Sequence, residues 1–111
     1  MTVPRVASLS VQIERHVDDA FPGWVACVLI DANGKQHAFT EKVPMVSAAD
    51  LQADSSYPQP GHIDCIVESI WVDAAGRRLA RVSTEQPWGI ASVSGETVFK
   101  VLDAQIIHEN Q

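Results

Sequence analysis

Positive charge is scarce in this chain, and the shortage weighs against several functions at once. Eight Lys and Arg face fourteen Asp and Glu, for a formal net charge of −6. Nucleic-acid binding relies on Lys and Arg neutralising phosphates, so no nucleic-acid partner is expected. An anionic membrane surface would repel the chain for the same reason. Only Arg77, Arg78 and Arg81 cluster. Long apolar runs are missing too. No stretch would span a bilayer, and the residues after Met1-Thr2-Val3-Pro4-Arg5 alternate polar and apolar instead of forming the apolar core of a signal peptide. The expected location is the cytoplasm, where Cys27 and Cys65 would stay reduced.

The catalytic templates are absent as well. There is no Gly-X-X-X-X-Gly-Lys-Ser/Thr loop to cradle phosphate and no Gly-X-Ser-X-Gly elbow to present a serine. Neither a Cys-X-X-Cys pair nor a His-Glu-X-X-His helix occurs. Serine, histidine and aspartate are present, as in almost any chain of this size, so a triad gains no support from them. The expectation is a protein without catalytic residues, metal or cofactor.

Apolar material, by contrast, is plentiful enough for one core. Apolar residues make up 46% of 111 positions, which predicts a single domain over residues 1–111 needing no metal or disulfide to fold. A short phrase also occurs twice. Pro22-Gly23-Trp24-Val25-Ala26-Cys27-Val28 is answered by Pro60-Gly61-His62-Ile63-Asp64-Cys65-Ile66. Each copy runs on to an Asp-Ala-X-Gly-basic turn, Asp31 to Lys35 and Asp73 to Arg77, and closes on a proline, Pro44 or Pro87. Two similar hairpins imply a pseudo-symmetric β-structure, with Cys27 and Cys65 pointing inward from equivalent strands as small core hydrophobes.

Alternation of Leu9, Val11 and Ile13 with Ser8, Ser10, Gln12 and Glu14 marks a half-buried strand, although Val6, Leu9, Ile13 and Val17 also recur at helical spacing. Asp18 to Gly23 reads as a turn, and Trp24 to Ile30 as a strand of a closed or doubly covered sheet. Asn33-Gly34 predicts a type I′ hairpin returning along Gln36 to Val46. Ser47 to Gly61 reads as a long loop, with Ser47 capping one helical turn over Ala48 to Leu51. Ile63 to Val72 and Arg77 to Thr84 form the second hairpin, followed by a short strand Ile90 to Val93, a Ser94-Gly95 turn and a last strand Thr97 to Ile107. The sum is an all-β, mainly antiparallel small barrel of six or seven strands with one helical turn between the repeats.

Candidate site residues are few. On a strand, His62 and Asp64 share one face while Cys65 takes the other. A zinc site would need these to converge with further ligands, His37 among them; a surface His and Asp beside a buried Cys is the plainer reading. Trp24 and Trp71 read as hairpin core residues. Tyr57 is the aromatic expected to be exposed, and Trp88, in Pro87-Trp88-Gly89, stands at a corner open to core or solvent. Tyr57, Pro58, Trp88, His62 and Asp64 are therefore the candidate binding residues, on or near a loop that can serve as a contact surface or merely connect the two halves.

The phrases Pro22-Gly23-Trp24-Val25, Glu41-Lys42-Val43-Pro44, Asp54 to Gly61 and Pro87-Trp88-Gly89-Ile90 together resemble a family of short, uncharacterised bacterial proteins, over about Val11 to Ile107. That resemblance implies a stand-alone cytoplasmic protein and no activity. More faintly, the Gly34-Lys35 turn and Tyr57-Pro58-Gln59 look like the C-terminal barrel of elongation factor Tu, without its doubled glycine, which implies a barrel and transfers no function. The leading expectation is a non-catalytic protein-interaction module, for example of immunity or inhibitor type, with self-association through an edge strand as a companion property. The alternative is a small-molecule-binding protein or minor enzyme using the barrel mouth, lined by Trp88, Tyr57, His62 and Asp64.

Overall fold

In the computed structural model, residues 5–108 are described and form a seven-stranded antiparallel sheet curled into a half-barrel. The long first strand, β1 (Arg5–Asp18), is its spine. Its C-terminal part pairs with β2 (Trp24–Ile30), which pairs with β3 (Gln36–Lys42). Along its other edge, Arg5 to Ile13 pair with β4 (Gln59–Val72), followed by β5 (Arg78–Ser83) and β6 (Val98–Leu102). A short β7 (Ile106–His108) completes the β2 side of β1 by pairing with Ala7 to Leu9. The two hairpins therefore flank β1.

Strand alternation decides which side chains lie inside. Ala7, Leu9, Val11 and Ile13 of β1 point inward with Val25, Cys27 and Leu29 of β2 and Ile63, Cys65 and Val67 of β4. Cys27 sits opposite Ile13 and Cys65 opposite Ala7, both buried on the core face. Phe39 and Phe99, with ring centroids 5.7 Å apart, fill the space between β3 and β6. The same parity overturns the expectation for two tryptophans. Because Val25 faces in, Trp24 faces out, with the Lys42 amine 5.7 Å from its ring centroid. In β4 an irregularity between Val67 and Ser69 resets the alternation, and Trp71 is left 37% exposed. Aliphatic side chains and phenylalanines fill the barrel instead.

Between β3 and β6 there is no ladder. The gap is closed by single backbone bonds, from the Ala32 N–H to the Lys100 carbonyl at 2.9 Å and from the Val93 N–H to the Ala38 carbonyl at 2.8 Å. Val93 belongs to the segment 84–97, expected to contain a strand over Ile90 to Val93. It is a looped cover instead, because its backbone groups bond one another across turns: Ile90 N–H to Thr84 O, Ser92 N–H to Glu96 O and Gly95 N–H to Ser92 O. The expected last strand is likewise broken by a 3₁₀ turn, Asp103–Gln105, where the Gln105 side chain accepts from the Leu102 N–H and donates to the Ile30 carbonyl.

Three hairpin-like turns share one geometry. Gly34, Gly76 and Gly95 each donate to the carbonyl three residues back, and each holds a positive φ of 82°, 83° or 87°. Asn33 does not have a positive φ, so the first is a three-residue loop with a glycine bulge instead of the predicted type I′ turn. Asp31 and Asp73 fix it, each accepting two backbone N–H bonds from its own turn. The helical turn α1 spans Val43–Val46, earlier than predicted. Pro44 suits a first turn, where its missing N–H is no loss. Ser47 meanwhile accepts from the Ala49 N–H in a local bend and starts no helix.

Candidate interaction surface

Four of the five candidate residues line one side of β4. Pro60, His62 and Asp64 alternate with the buried Ile63 and Cys65, so they project from the outer face, and the exposed Pro58 immediately precedes them. Across β1 the same face carries Gln12, Ser10 and Ser8, directly opposite Pro60, His62 and Asp64. The corner residue Trp88 folds onto this face. Its indole Nε1–H donates to Asp64 Oδ2 at 2.9 Å, while Ser8 Oγ donates to Asp64 Oδ1 at 3.1 Å. Asp64 thus has one oxygen anchored within the sheet and the other holding the tryptophan. The Trp88 ring remains 58% exposed.

Tyr57 goes elsewhere. It is half-buried against the core and its hydroxyl donates to the Gln52 carbonyl at 2.6 Å, so it serves the loop's own architecture instead of standing exposed. Ser55 completes that knot: its Oγ accepts from the Gln52 N–H at 2.9 Å and its N–H donates to the Gln52 carbonyl. Leu51 plugs the loop into the core at 5% exposure. The central loop is therefore a built structure with its own internal bonds.

The ligand-type residues do not converge. His62 is on the outer face of β4, whereas His37 is buried on the inner face of β3, two strands beyond β1. Both His37 ring nitrogens are engaged, Nε2 with Asp31 Oδ2 at 2.8 Å and Nδ1 with Glu96 Oε1 at 3.3 Å. Carboxylates on opposite sides of a ring cannot share one ion with it. Among the described residues, no group of three His, Cys, Asp or Glu side chains is placed to hold a metal. The thiols are poor nucleophiles. Burial, with the charges of Glu41 and Glu14, pushes Cys27 up to about 12, and burial with Asp64 does the same to Cys65.

Sequence reasoning missed Phe21. It is 97% exposed at the turn between β1 and β2, where a clefted surface gathers around it. The signal was present: an aromatic set among Asp18, Asp19 and Pro22-Gly23 has no strand to carry it into the core. No helix among the described residues is long and apolar enough to cross a membrane. No protein-family model, no curated protein and no solved structure matches this chain, so a functional reading rests on its geometry.

Proposed function

We propose that this chain is a non-catalytic protein-interaction module acting in the cytoplasm, of which an immunity or inhibitor protein would be one instance. Its contact surfaces are the Trp88 corner with the outer face of β4, and the central loop Ser47–Gly61. The observation that carries this reading is the way Trp88 is held. Its one polar atom is satisfied by Asp64, and Asp64 is itself fixed by Ser8, so the exposed ring presents apolar area in a set orientation. Exposed aromatics that lose little freedom on docking are the usual anchors of protein interfaces.

The small-molecule alternative gains less from the geometry. His62 and Asp64 face outward from the sheet, and the interior is filled by side chains such as Leu9, Ile13, Phe39 and Ile63. The clefts are surface features of about 250 to 320 Å³, at the lower limit for small-ligand sites. Tagged protein used as bait should retain one stoichiometric protein partner. Trp88→Ala is expected to lose that partner with the melting temperature unchanged, and Asp64→Ala to weaken capture by freeing the ring that Asp64 holds. Capture that survives Trp88→Ala would remove this surface from consideration.

A further inference from the structure

A second surface lies beyond the C-terminal end of β1, around Phe21, whereas the Trp88 contact sits by Ser8 near the start of that strand. Sequence and local bonding fix Phe21 there. The Ala20 N–H donates to Asp18 Oδ1 and the Gly23 N–H to the Ala20 carbonyl at 2.7 Å, while the Val43 N–H of α1 donates to the Gly23 carbonyl. Phe21 stands at the crest of this pinned turn, almost wholly in solvent. A free-standing phenylalanine this exposed contributes little to the barrel's own core.

Two clefts flank it. One, of about 310 Å³, has a mostly apolar lining that includes Phe21, Pro22, Val43, Pro44 and Ala48. The other, of about 320 Å³, runs past His16, Asp19, Leu51 and Gln52, and the two share Phe21, Pro22 and Asp50. The full charges among the lining residues are carboxylates, Asp19 and Asp50. Asp19 is largely exposed, 3.4 Å from His16, and Asp50 takes one bond from the Gln52 amide. The exposed Asp18 precedes Asp19 in the chain. Two cations neighbour the lining residues in the chain: Lys42, whose amine lies over the Trp24 ring, and the exposed Arg15, opposite Ala26 of β2.

We infer that this end of the barrel docks a cationic segment of a protein partner, one carrying an apolar anchor between Lys or Arg residues. The anchor packs against Phe21 in the cleft by Pro22, Val43, Pro44 and Ala48, and the flanking cations pair with Asp19 and Asp50. Charge decides between the possible occupants. A second copy would bring the same carboxylates against themselves, and an anionic lipid surface would be repelled by the same rim. The inference rests on the interaction-module reading in taking protein as the ligand and shares with it the start of the central loop, Ala48 to Gln52, but it does not use Trp88.

Amide NMR of the isotope-labelled protein tests it, with a short peptide of two leucines flanked by arginines and a counterpart flanked by glutamates. The arginine peptide is expected to shift the amides of Ala20, Phe21, Gly23, Asp50 and Leu51, leaving the Trp88 indole signal unmoved. Phe21→Ser and Asp50→Asn should each weaken binding by about tenfold at unchanged melting temperature. Raising salt from about 50 to about 300 mM should weaken it further. Equal binding of the glutamate peptide, shifts scattered over other acidic surface, or a Phe21-dependent dimer forming without peptide would each overturn the proposal. Partner capture that depends on Trp88 while the peptide leaves Phe21 untouched would sink this inference and keep the earlier reading. The reverse pattern would do the opposite.

Discussion

Gly61 shows how little room a single position has. It lies in β4 opposite Val11, and a Cβ built there would stand 2.7 Å from Ile13 side-chain carbons and 2.9 Å from the Val46 carbonyl oxygen. Ile13 is fully buried and Val46 closes α1, so neither can withdraw cheaply. Gly61→Ala should therefore destabilise the fold by about 1–3 kcal/mol, the usual cost of overpacking a closed site. Gly23, its counterpart in the duplicated phrase, plays a different part. It turns the chain at a φ of +93°, where its added Cβ would meet nothing nearer than 3.4 Å. Urea melts of Gly61→Ala and Gly34→Ala separate crowding from backbone strain, because Gly34 has a positive φ and open space around it. If Gly61→Ala melted like the parent protein, the close approach of α1 to β4 would be wrong. The shared Pro-Gly phrase is thus a repeat of letters with two structural meanings, a tight turn in one copy and an extended close approach in the other.

At the scale of elements, the duplicated turns are equivalent where the Pro-Gly phrases are not. Asp31 and Asp73 each accept N–H bonds from the residues two and four positions on, but their outer oxygens diverge: Asp31 meets buried His37, whereas Asp73 meets the exposed Arg77. Removing both staples compares the same turn with and without a buried partner. Asp31→Ala should cost about 1–3 kcal/mol by leaving His37 without one of its bonds, and Asp73→Ala should cost less, since solvent replaces what is lost. Equal losses in thermal melts would mean that His37 adds nothing beyond the turn. This contrast also marks what was legible beforehand. The strands over Leu9 to Ile13 and Trp24 to Ile30, and the two Asp-Ala-X-Gly turns, follow from alternation and turn chemistry, which are local. The outward projection of His62 and Asp64 follows from the same period of two. Trp71 was misplaced because an irregularity between Val67 and Ser69 resets the period, and nothing in the local sequence announces it. The Trp88–Asp64 bond and the His37–Glu96 contact join residues 24 and 59 positions apart, a distance at which pattern is silent.

For the molecule as a whole, the open side of the half-barrel governs how it should fail. Its centre is held by ladders, unbroken between β1 and β4 and interrupted by two irregularities between β1 and β2, but β3 and β6 meet through single bonds and side chains. Asp31, beside this seam, and Asp103, just past the end of β6, have pKa values below their ordinary range. Burial tends to raise Asp31, and the bonds from His37 and from the Asn33 and Lys35 N–H groups outweigh it. Asp103 is lowered first by its bond to His108 and then, against burial, by Arg78, tying the 3₁₀ turn to β7 and β5. A carboxylate whose folded pKa is depressed adds stability above its unfolded pKa of about 3.9, and that stability is lost as pH falls through the lower folded value. Acid should therefore loosen the seam before the centre. Hydrogen exchange followed from neutral pH down to about pH 3 is expected to release the Ala32 and Val93 amides, which close the gap, while the β1–β4 amides of Leu9 and Ile63 stay protected. Asp31→Asn should flatten this acid-sensitive step at Ala32, because its side chain no longer titrates. Seam and centre amides exchanging together at every pH would instead make the curled sheet one cooperative unit, with closure between β3 and β6 no weaker than the ladders behind it.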